Sequence, residues 1–145
     1  MTSAEILRIT KLDKNAKIPI RHSEGAAGYD LSAVKGGKIN PKEILEVGTG
    51  LIFSIPKGTI GIVFGRSGLA VKNGLEIINS KVLPDSKEEL VVKILNNSNK
   101  PFEFEAGSRI AQMVLIETFV CDIKEVDSLE YSARGESGFG STGLL

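Results

Sequence analysis

The sequence has 145 residues and a mass of 15.5 kDa, typical of one domain that buries roughly two thirds of its unfolded surface. The charges of its 18 basic and 18 acidic side chains cancel, which argues against extensive electrostatic binding of nucleic acid or anionic lipid. One cysteine and one histidine exclude an internal disulfide and a multi-histidine metal centre. With no signal-peptide block and no membrane-length apolar run, we expect an intracellular protein, cytoplasmic or nuclear, without nucleic-acid or membrane partners.

Short apolar stretches separated by glycine-rich turns predict an all-β chain. Ile18 and Ile20 alternate with polar residues, as in a half-buried strand. Ser67–Asn73 could form two helical turns that end at Gly74. We expect a sandwich or jelly roll with one short helix. In chain order, the other predicted strands lie at 44–47, 51–55, 90–95, 102–105 and 110–120.

The whole chain is predicted to form a single domain, 1–145. A β core covers 1–130, and residues 131–145 form a flexible arm. The arm contains the sequence ARGESGFGSTGLL, whose glycine and serine content is typical of a mobile chain end unless a ligand binds it.

Two sequence clusters in the first half of the chain could carry chemistry. In GAAGYDLS, Asp30 is either a solvated turn residue or a buried carboxylate that orients a basic group. In GRSGLA, the amides at the helix start, the Ser67 hydroxyl and the Arg66 guanidinium could cradle a phosphate. The alternative for this second cluster is a simple Ser67 N-cap with Arg66 in a surface ion pair.

Two further clusters lie towards the carboxyl end. In GSRIAQ, Gln112 is either an outward-facing polar residue of a strand or a donor to an anion. In RGESGFGSTG, Phe139 has no local core to join but could stack on a base. Arg134, Ser141 and Thr142 could then fold over a phosphate chain.

Taken in order, AGYDLSA, GRSGLAVKNG, GSRIAQMVL and RGESGFGSTG resemble four of the five signature motifs of the trimeric dUTP diphosphatases (dUTPases). The resemblance covers nearly the whole chain, from about Ala26 to Gly143. It implies a distorted jelly roll, a homotrimer with sites built from all three subunits, and Mg²⁺ carried on the triphosphate without direct protein ligands. The implied partners are dUTP and its product dUMP.

Residue by residue, the resemblance implies an ion pair between Asp30 and Arg66. It also places the phosphates on Ser67, on the Gly68 amide and on Gln112. In the arm, Arg134 would reach the γ-phosphate, Phe139 would stack on uracil, and Ser141 and Thr142 would add hydrogen bonds to phosphate.

The third motif of the family departs most from its usual pattern. Leu83 stands where the water-activating aspartate is expected, and Ser86 stands where a tyrosine packs on deoxyribose and excludes ribose. Asp85 is either a substitute base or a turn residue after Pro84. Glu88 and Glu89 are interpreted as a solvated face, with a secondary possibility that one of them is the base.

These residues predict a dUTP diphosphatase that hydrolyses dUTP to dUMP and pyrophosphate, by Mg²⁺-assisted attack of water on the α-phosphate. The atypical third motif is expected to lower its activity or its sugar selectivity, because leucine cannot accept a proton. The alternative is a catalytically weak or inactive protein of the same fold that binds nucleotides and acts through partners.

Overall fold

The computed structural model describes residues 5–21, 23, 25–78 and 80–130. These residues form eleven β-strands and one seven-residue helix, which confirms the predicted all-β fold class. The elements are β1 Arg8–Lys11, β2 Tyr29–Ser32, β3 Gly37–Ile39, β4 Ile44–Gly48, β5 Leu51–Ser54, β6 Thr59–Gly65, α1 Ser67–Asn73, β7 Leu75–Ile78, β8 Lys81–Val82, β9 Val91–Asn96, β10 Phe102–Phe104 and β11 Arg109–Glu117.

Every strand pair in the described part of the chain is antiparallel. A four-stranded sheet has the order β2-β11-β6-β8, and a three-stranded sheet has the order β4-β9-β7. Two strand pairs, β1-β5 and β10-β3, complete the arrangement. Neighbours in these sheets are mostly distant in sequence, as expected for a jelly roll rather than a meander.

The core lies between the sheets, where β-branched and other apolar side chains meet. Phe53 on β5, Ile94 on β9 and Met113 on β11 are each at most 1% exposed. Burial of each such side chain stabilises the fold by about 1.5–3 kcal/mol. The strands alternate between this core and the surface, as in β9, whose burial switches from residue to residue between Val91 and Asn96.

Helix α1 has the bounds that the sequence predicts, Ser67–Asn73. It ends because Gly74 adopts the left-handed conformation, with φ 67° and ψ 30°. From there the Gly74 N–H donates to the carbonyls of Ala70 and Leu69, which closes the helix. Since no residue of α1 is buried, the helix lies on the surface beside the four-stranded sheet.

Two predictions from the sequence are wrong in detail. Ile18 and Ile20 form no strand and are 49% and 65% exposed, because this stretch follows the surface instead of entering a sheet. Strand β11 ends at Glu117 instead of continuing to Val120. Cys121 is exposed.

After β11 the chain continues through residues 118–130, which have no regular secondary structure and are exposed throughout. Apolar side chains are common in this extended segment: Phe119 is 87% exposed, Val120 100% and Ile123 99%. Within the residues that the structure describes, no helix is both long and apolar enough to span a membrane.

Candidate functional site

Three segments of the four-stranded sheet converge on one side of the molecule. Strand β2 carries Asp30, strand β11 carries Gln112, and Arg66 lies between the end of β6 and the start of α1. Gln112 is the register partner of Asp30 on one side and of Phe64 on the other. Directly opposed residues project to the same face of a sheet, so Asp30 and Gln112 lie side by side.

A cleft of about 400 Å³ opens between these segments. Its wall combines the cations of Arg66 and Lys72 with the carboxylate of Asp30 and with hydroxyl and amide groups. A polar wall with an excess of cations suits an anionic ligand. The lining residues are Asp30, Arg66, Ser67, Gly68, Leu69, Lys72, Asn73 and Gln112.

Asp30 forms an ion pair, but with a different arginine from the one expected. Arg109 Nη1 lies 3.4 Å from Asp30 Oδ2, and the Asp30 side chain is only 14% exposed. Arg66 instead donates from its Nη1 to the main-chain carbonyl of Arg109, at 3.3 Å. The direct pair between Asp30 and Arg66 that the resemblance implies is not formed in this structure, where Asp30 pairs with Arg109 and Arg66 donates to the Arg109 carbonyl.

An irregularity in β11 brings Arg109 to this face. In a regular strand, residues three apart such as Arg109 and Gln112 project to opposite faces. The register with β2 shifts between Arg109 and Ala111, as in a β-bulge. The extra residue places Arg109 on the face of Asp30. With the guanidinium 43% exposed, this pair stabilises the fold by less than about 1 kcal/mol, and its main effect is to orient Asp30.

Gln112 is half-buried and held against the turn that precedes β2. Its Nε2 lies 3.4 Å from the Gly65 carbonyl, a weak hydrogen bond. Gly28 packs directly against its amide: a Cβ at position 28 would lie 2.7 Å from Gln112 Oε1. Position 28 therefore accommodates the Gln112 side chain only because it carries no side chain of its own.

Helix α1 presents its first turn to the cleft. Arg66 is the N-cap residue, with extended backbone and no capping hydrogen bond from its side chain. The interpretation of Ser67 as the N-cap is therefore wrong, since Ser67 is the first helical residue. Ser67 and Gly68 are both exposed, and no acidic residue lies in this turn. First-turn N–H groups have no partner within a helix, so they suit an anion in the cleft.

Residues 14–143 match the family model for dUTPase. The chain belongs to the dUTPase family. It is 47% identical over 144 residues to the deoxyuridine 5'-triphosphate nucleotidohydrolase of Encephalitozoon cuniculi (strain GB-M1), with 99% of both chains covered. A relative of the same name from Antonospora locustae is 41% identical, covering 97% of this chain and 99% of the relative. Among solved structures, a variant of the Staphylococcus bacteriophage 80alpha dUTPase with dUpNHpp is similar at 27% identity and TM-score 0.81, covering 97% and 100% of the two chains.

The segment interpreted from the sequence as a divergent third dUTPase motif forms a surface loop outside the cleft. We call residues 83–88 the hairpin loop, a name for the segment only, since it connects β8 of the four-stranded sheet to β9 of the three-stranded sheet. The Ser86 N–H donates to the Leu83 carbonyl at 3.1 Å, which makes Pro84 and Asp85 the central residues of a turn. Asp85 is exposed and Leu83 is 44% exposed. Neither residue lines the cleft of Asp30 in the same chain.

The two glutamates after the hairpin loop differ in environment. Glu88 is exposed, as the sequence predicts. Glu89 is half-buried, and its Oε2 accepts a hydrogen bond of 2.8 Å from the Gly50 N–H. The interpretation of both as a solvated face is therefore wrong for Glu89.

Four predicted residues of the dUTPase arm, Arg134, Phe139, Ser141 and Thr142, lie outside the described residues. Sequence reasoning gave no role to Lys72, Asn73 and Arg109, which the structure places at or beside the cleft. Lys72 lies four residues after Gly68 and Asn73 four residues after Leu69, so they share helix faces with cleft residues and the predicted helix could have indicated them. The bulge that turns Arg109 inward has no signal in the sequence.

Proposed function

We propose that this chain is a dUTP nucleotidohydrolase, which converts dUTP and water into dUMP and pyrophosphate. The observation that carries the proposal is the cleft, where Asp30, Arg66, Ser67, Gly68 and Gln112 meet from three separate segments. Of these, Arg66, Ser67, Gly68 and Gln112 are residues that the sequence predicts for phosphate binding, whereas Asp30 is predicted to orient a basic group. The relatives from Encephalitozoon cuniculi and Antonospora locustae, which align over nearly the whole chain, carry the name of this activity.

The triphosphate would lie along the first turn of α1. The Gly68 amide and the Ser67 hydroxyl donate to phosphate oxygens, and Arg66 and Gln112 add donors from the opposite wall. Hydrogen bonds to charged phosphates are about twice as strong as neutral ones. Because Arg66 is fixed to the Arg109 carbonyl, its charge is held in place before the substrate arrives, which favours catalysis by electrostatic preorganisation.

The reaction is an in-line attack of water on the α-phosphorus. The water oxygen bonds to phosphorus while the bond to the oxygen that bridges to the β-phosphate breaks, and pyrophosphate leaves with that electron pair. A base must accept the proton of the water, and Asp85 is our candidate because its carboxylate is exposed in the turn of the hairpin loop. Loss of such a base lowers the rate by about 10²–10⁴-fold.

Mg²⁺ fits this cleft as an ion that arrives on the triphosphate. Among the described residues, no group of three His, Cys, Asp or Glu side chains is arranged to hold a metal. Because the Asp30 carboxylate is already paired with Arg109, it suits only a Mg²⁺ ion that keeps its own water ligands. Mg²⁺ keeps several waters and binds readily through phosphates. When bound, it would supply charge neutralisation along the phosphate chain.

We further propose that the protein acts as a homotrimer. The extended segment 118–130 exposes Phe119, Val120 and Ile123 almost completely, and such contiguous apolar exposure is typical of an interaction surface. Since Asp85 does not line the cleft of its own chain, assembly would let the hairpin loop of one copy serve the cleft of another. The arm over 131–145 would close on the substrate, with Phe139 on the uracil and Arg134, Ser141 and Thr142 on the phosphates.

Sugar selectivity is expected to be loose. Ser86 is half-buried in the hairpin loop, where the family resemblance implies a tyrosine that excludes ribose. A serine offers no flat face to clash with a 2′-hydroxyl. We therefore expect UTP to be hydrolysed at a rate that is measurable beside that of dUTP.

The test is steady-state pyrophosphate release from dUTP, UTP, dCTP and dTTP, with Mg²⁺. We expect dUTP turnover on the order of 1–10 s⁻¹. Asp85→Asn should lower it by about 10²–10⁴-fold. Asp13→Asn, in a turn away from the cleft, serves as the matched control and should retain full activity, because asparagine keeps the oxygen that accepts the Asn15 N–H. Full activity of Asp85→Asn would exclude Asp85 as the base, and tight binding of dUpNHpp without any turnover would contradict the proposed hydrolysis.

A further inference from the structure

The hairpin loop is attached to the protein at both ends by different means. At its amino end, β8 pairs with β6 through Val82 and Gly61. At its carboxyl end, Glu89 and Leu90 contact the turn 48–50 between β4 and β5. The loop itself is exposed or half-buried, apart from these ends. Its position therefore depends on how firmly each end is held.

Backbone contacts hold Leu90 against this turn. The Thr49 N–H and the Thr49 hydroxyl both donate to the Leu90 carbonyl, at 3.2 and 2.7 Å. The Leu90 N–H donates to the Leu51 carbonyl at 2.8 Å. Thr49 is 1% exposed and Leu90 is 6% exposed. This buried attachment fixes the chain one residue beyond Glu89.

Glu89 extends the attachment by one residue, through its side chain. Its Oε2 accepts the Gly50 N–H at 2.8 Å. The carboxylate also lies directly on Gly48, where a Cβ would be 2.5 Å from Oε2 and 3.4 Å from Cδ. A hydrogen bond from a backbone amide to an ionised carboxylate is stronger than a neutral one. The Glu89 carboxylate is thus held by the Gly50 N–H, and it fits against Gly48 only because that residue has no side chain.

We propose that Glu89 is a positioning residue, which fixes the hairpin loop through Gly50 so that Asp85 and Ser86 can meet the nucleotide. The role of the loop in this inference rests on the proposed function, whereas the attachment of Glu89 to Gly50 does not. Glu89 also borders a cavity of about 350 Å³ together with Ser86, so movement of its carboxylate would change the shape of that cavity. Misplacement of reacting groups by about 1 Å can cost about 100-fold in rate.

A positioning role and a general-base role for Glu89 predict different results. Glutamine retains an amide oxygen that can accept the Gly50 N–H, but it cannot take a proton from water. For a positioning residue, Glu89→Gln should therefore keep kcat/KM within about tenfold of the unmodified protein. Glu89→Ala removes the acceptor and should lower kcat/KM by about 100-fold, with a raised KM. A general base would lose kcat equally in both variants, without a change in KM.

Gly48 offers an independent way to displace the same carboxylate. Gly48→Ala introduces a Cβ that must move Glu89 away from its present position. We expect it to lower kcat/KM about as much as Glu89→Ala. In the double variant Gly48→Ala/Glu89→Ala, kcat/KM should fall no further than in either single variant, because both changes break the same contact. Glu76→Ala, an exposed glutamate on β7, is the matched control and should leave activity unchanged.

Amide hydrogen exchange tests the attachment without any substrate. Residues 83–88 should exchange faster in Glu89→Ala and Gly48→Ala but not in Glu89→Gln, while the core strands β9 and β11 stay protected in all three. If Glu89→Gln loses as much activity as Glu89→Ala, or exchange in the loop is the same in all variants, the inference is overturned. If the loop loosens as expected but the unmodified protein shows no dUTP turnover, the proposed function fails and the attachment stands.

Discussion

Replacement of Gly28 by alanine should lower activity without destabilising the fold. The new Cβ would lie 2.7 Å from Gln112 Oε1 and 3.4 Å from Gln112 Cβ and Cδ. The amide must therefore move away by roughly 0.7 Å to reach ordinary van der Waals contact. Since the contact is with the far end of a flexible side chain, the chain can adapt at a cost of less than about 1 kcal/mol in the free energy of unfolding.

The displaced amide is the one proposed to hold a phosphate oxygen. Its weak hydrogen bond to the Gly65 carbonyl, at 3.4 Å, would be lost at the same time. We expect kcat/KM for dUTP to fall roughly 10- to 100-fold, as is typical for a misplacement of this size. Steady-state pyrophosphate release measures the loss, and urea unfolding measures the stability of the same sample.

Gly25→Ala is the matched control, because it lies in the same turn region and a Cβ there meets nothing within 4 Å. It should match the unmodified protein in both assays. Full activity of Gly28→Ala would refute a role for Gln112 in the cleft. A large loss of stability without a change in kcat/KM would equally refute the reasoning.

Three further predictions concern stability, assembly and the arm. Asn96→Ala should destabilise the fold by roughly 3–5 kcal/mol in urea unfolding, because the fully buried amide bonds with Ile39, Ser98 and Lys100. Phe119→Ser combined with Ile123→Ser should shift sedimentation from trimer to monomer, whereas a trimer that persists would place the interface elsewhere. Deletion of residues 131–145 should lower kcat/KM by about 100-fold, and an unchanged value would remove the arm from the mechanism.

Elements set by local chemistry could be predicted from the sequence. The carboxyl end of α1 follows from Gly74, which adopts the left-handed conformation there. Strand β9 follows from a run rich in β-branched residues that contains no Gly or Pro, and the turn at Asp85 follows from the preceding Pro84. In each case the deciding residues lie within a few positions of one another.

Contacts between distant segments could not be predicted in this way. The pair between Asp30 and Arg109 depends on a bulge in β11 that no residue pattern indicates. Likewise, the local sequence predicts a surface glutamate at Glu89. Its carboxylate contacts Gly48 and Gly50, which lie about 40 positions earlier in the chain and so give no local signal. The resemblance to a family supplied the residues of the cleft, but not the contacts that hold them.

The attack of water on the α-phosphorus of dUTP is tested most directly by turnover in ¹⁸O-labelled water with Mg²⁺. Mass spectrometry of the products then shows which phosphorus received the water oxygen. The account predicts one ¹⁸O atom in dUMP and none in pyrophosphate. Label in pyrophosphate would contradict attack at the α-phosphorus, and the absence of turnover would contradict the proposed activity itself.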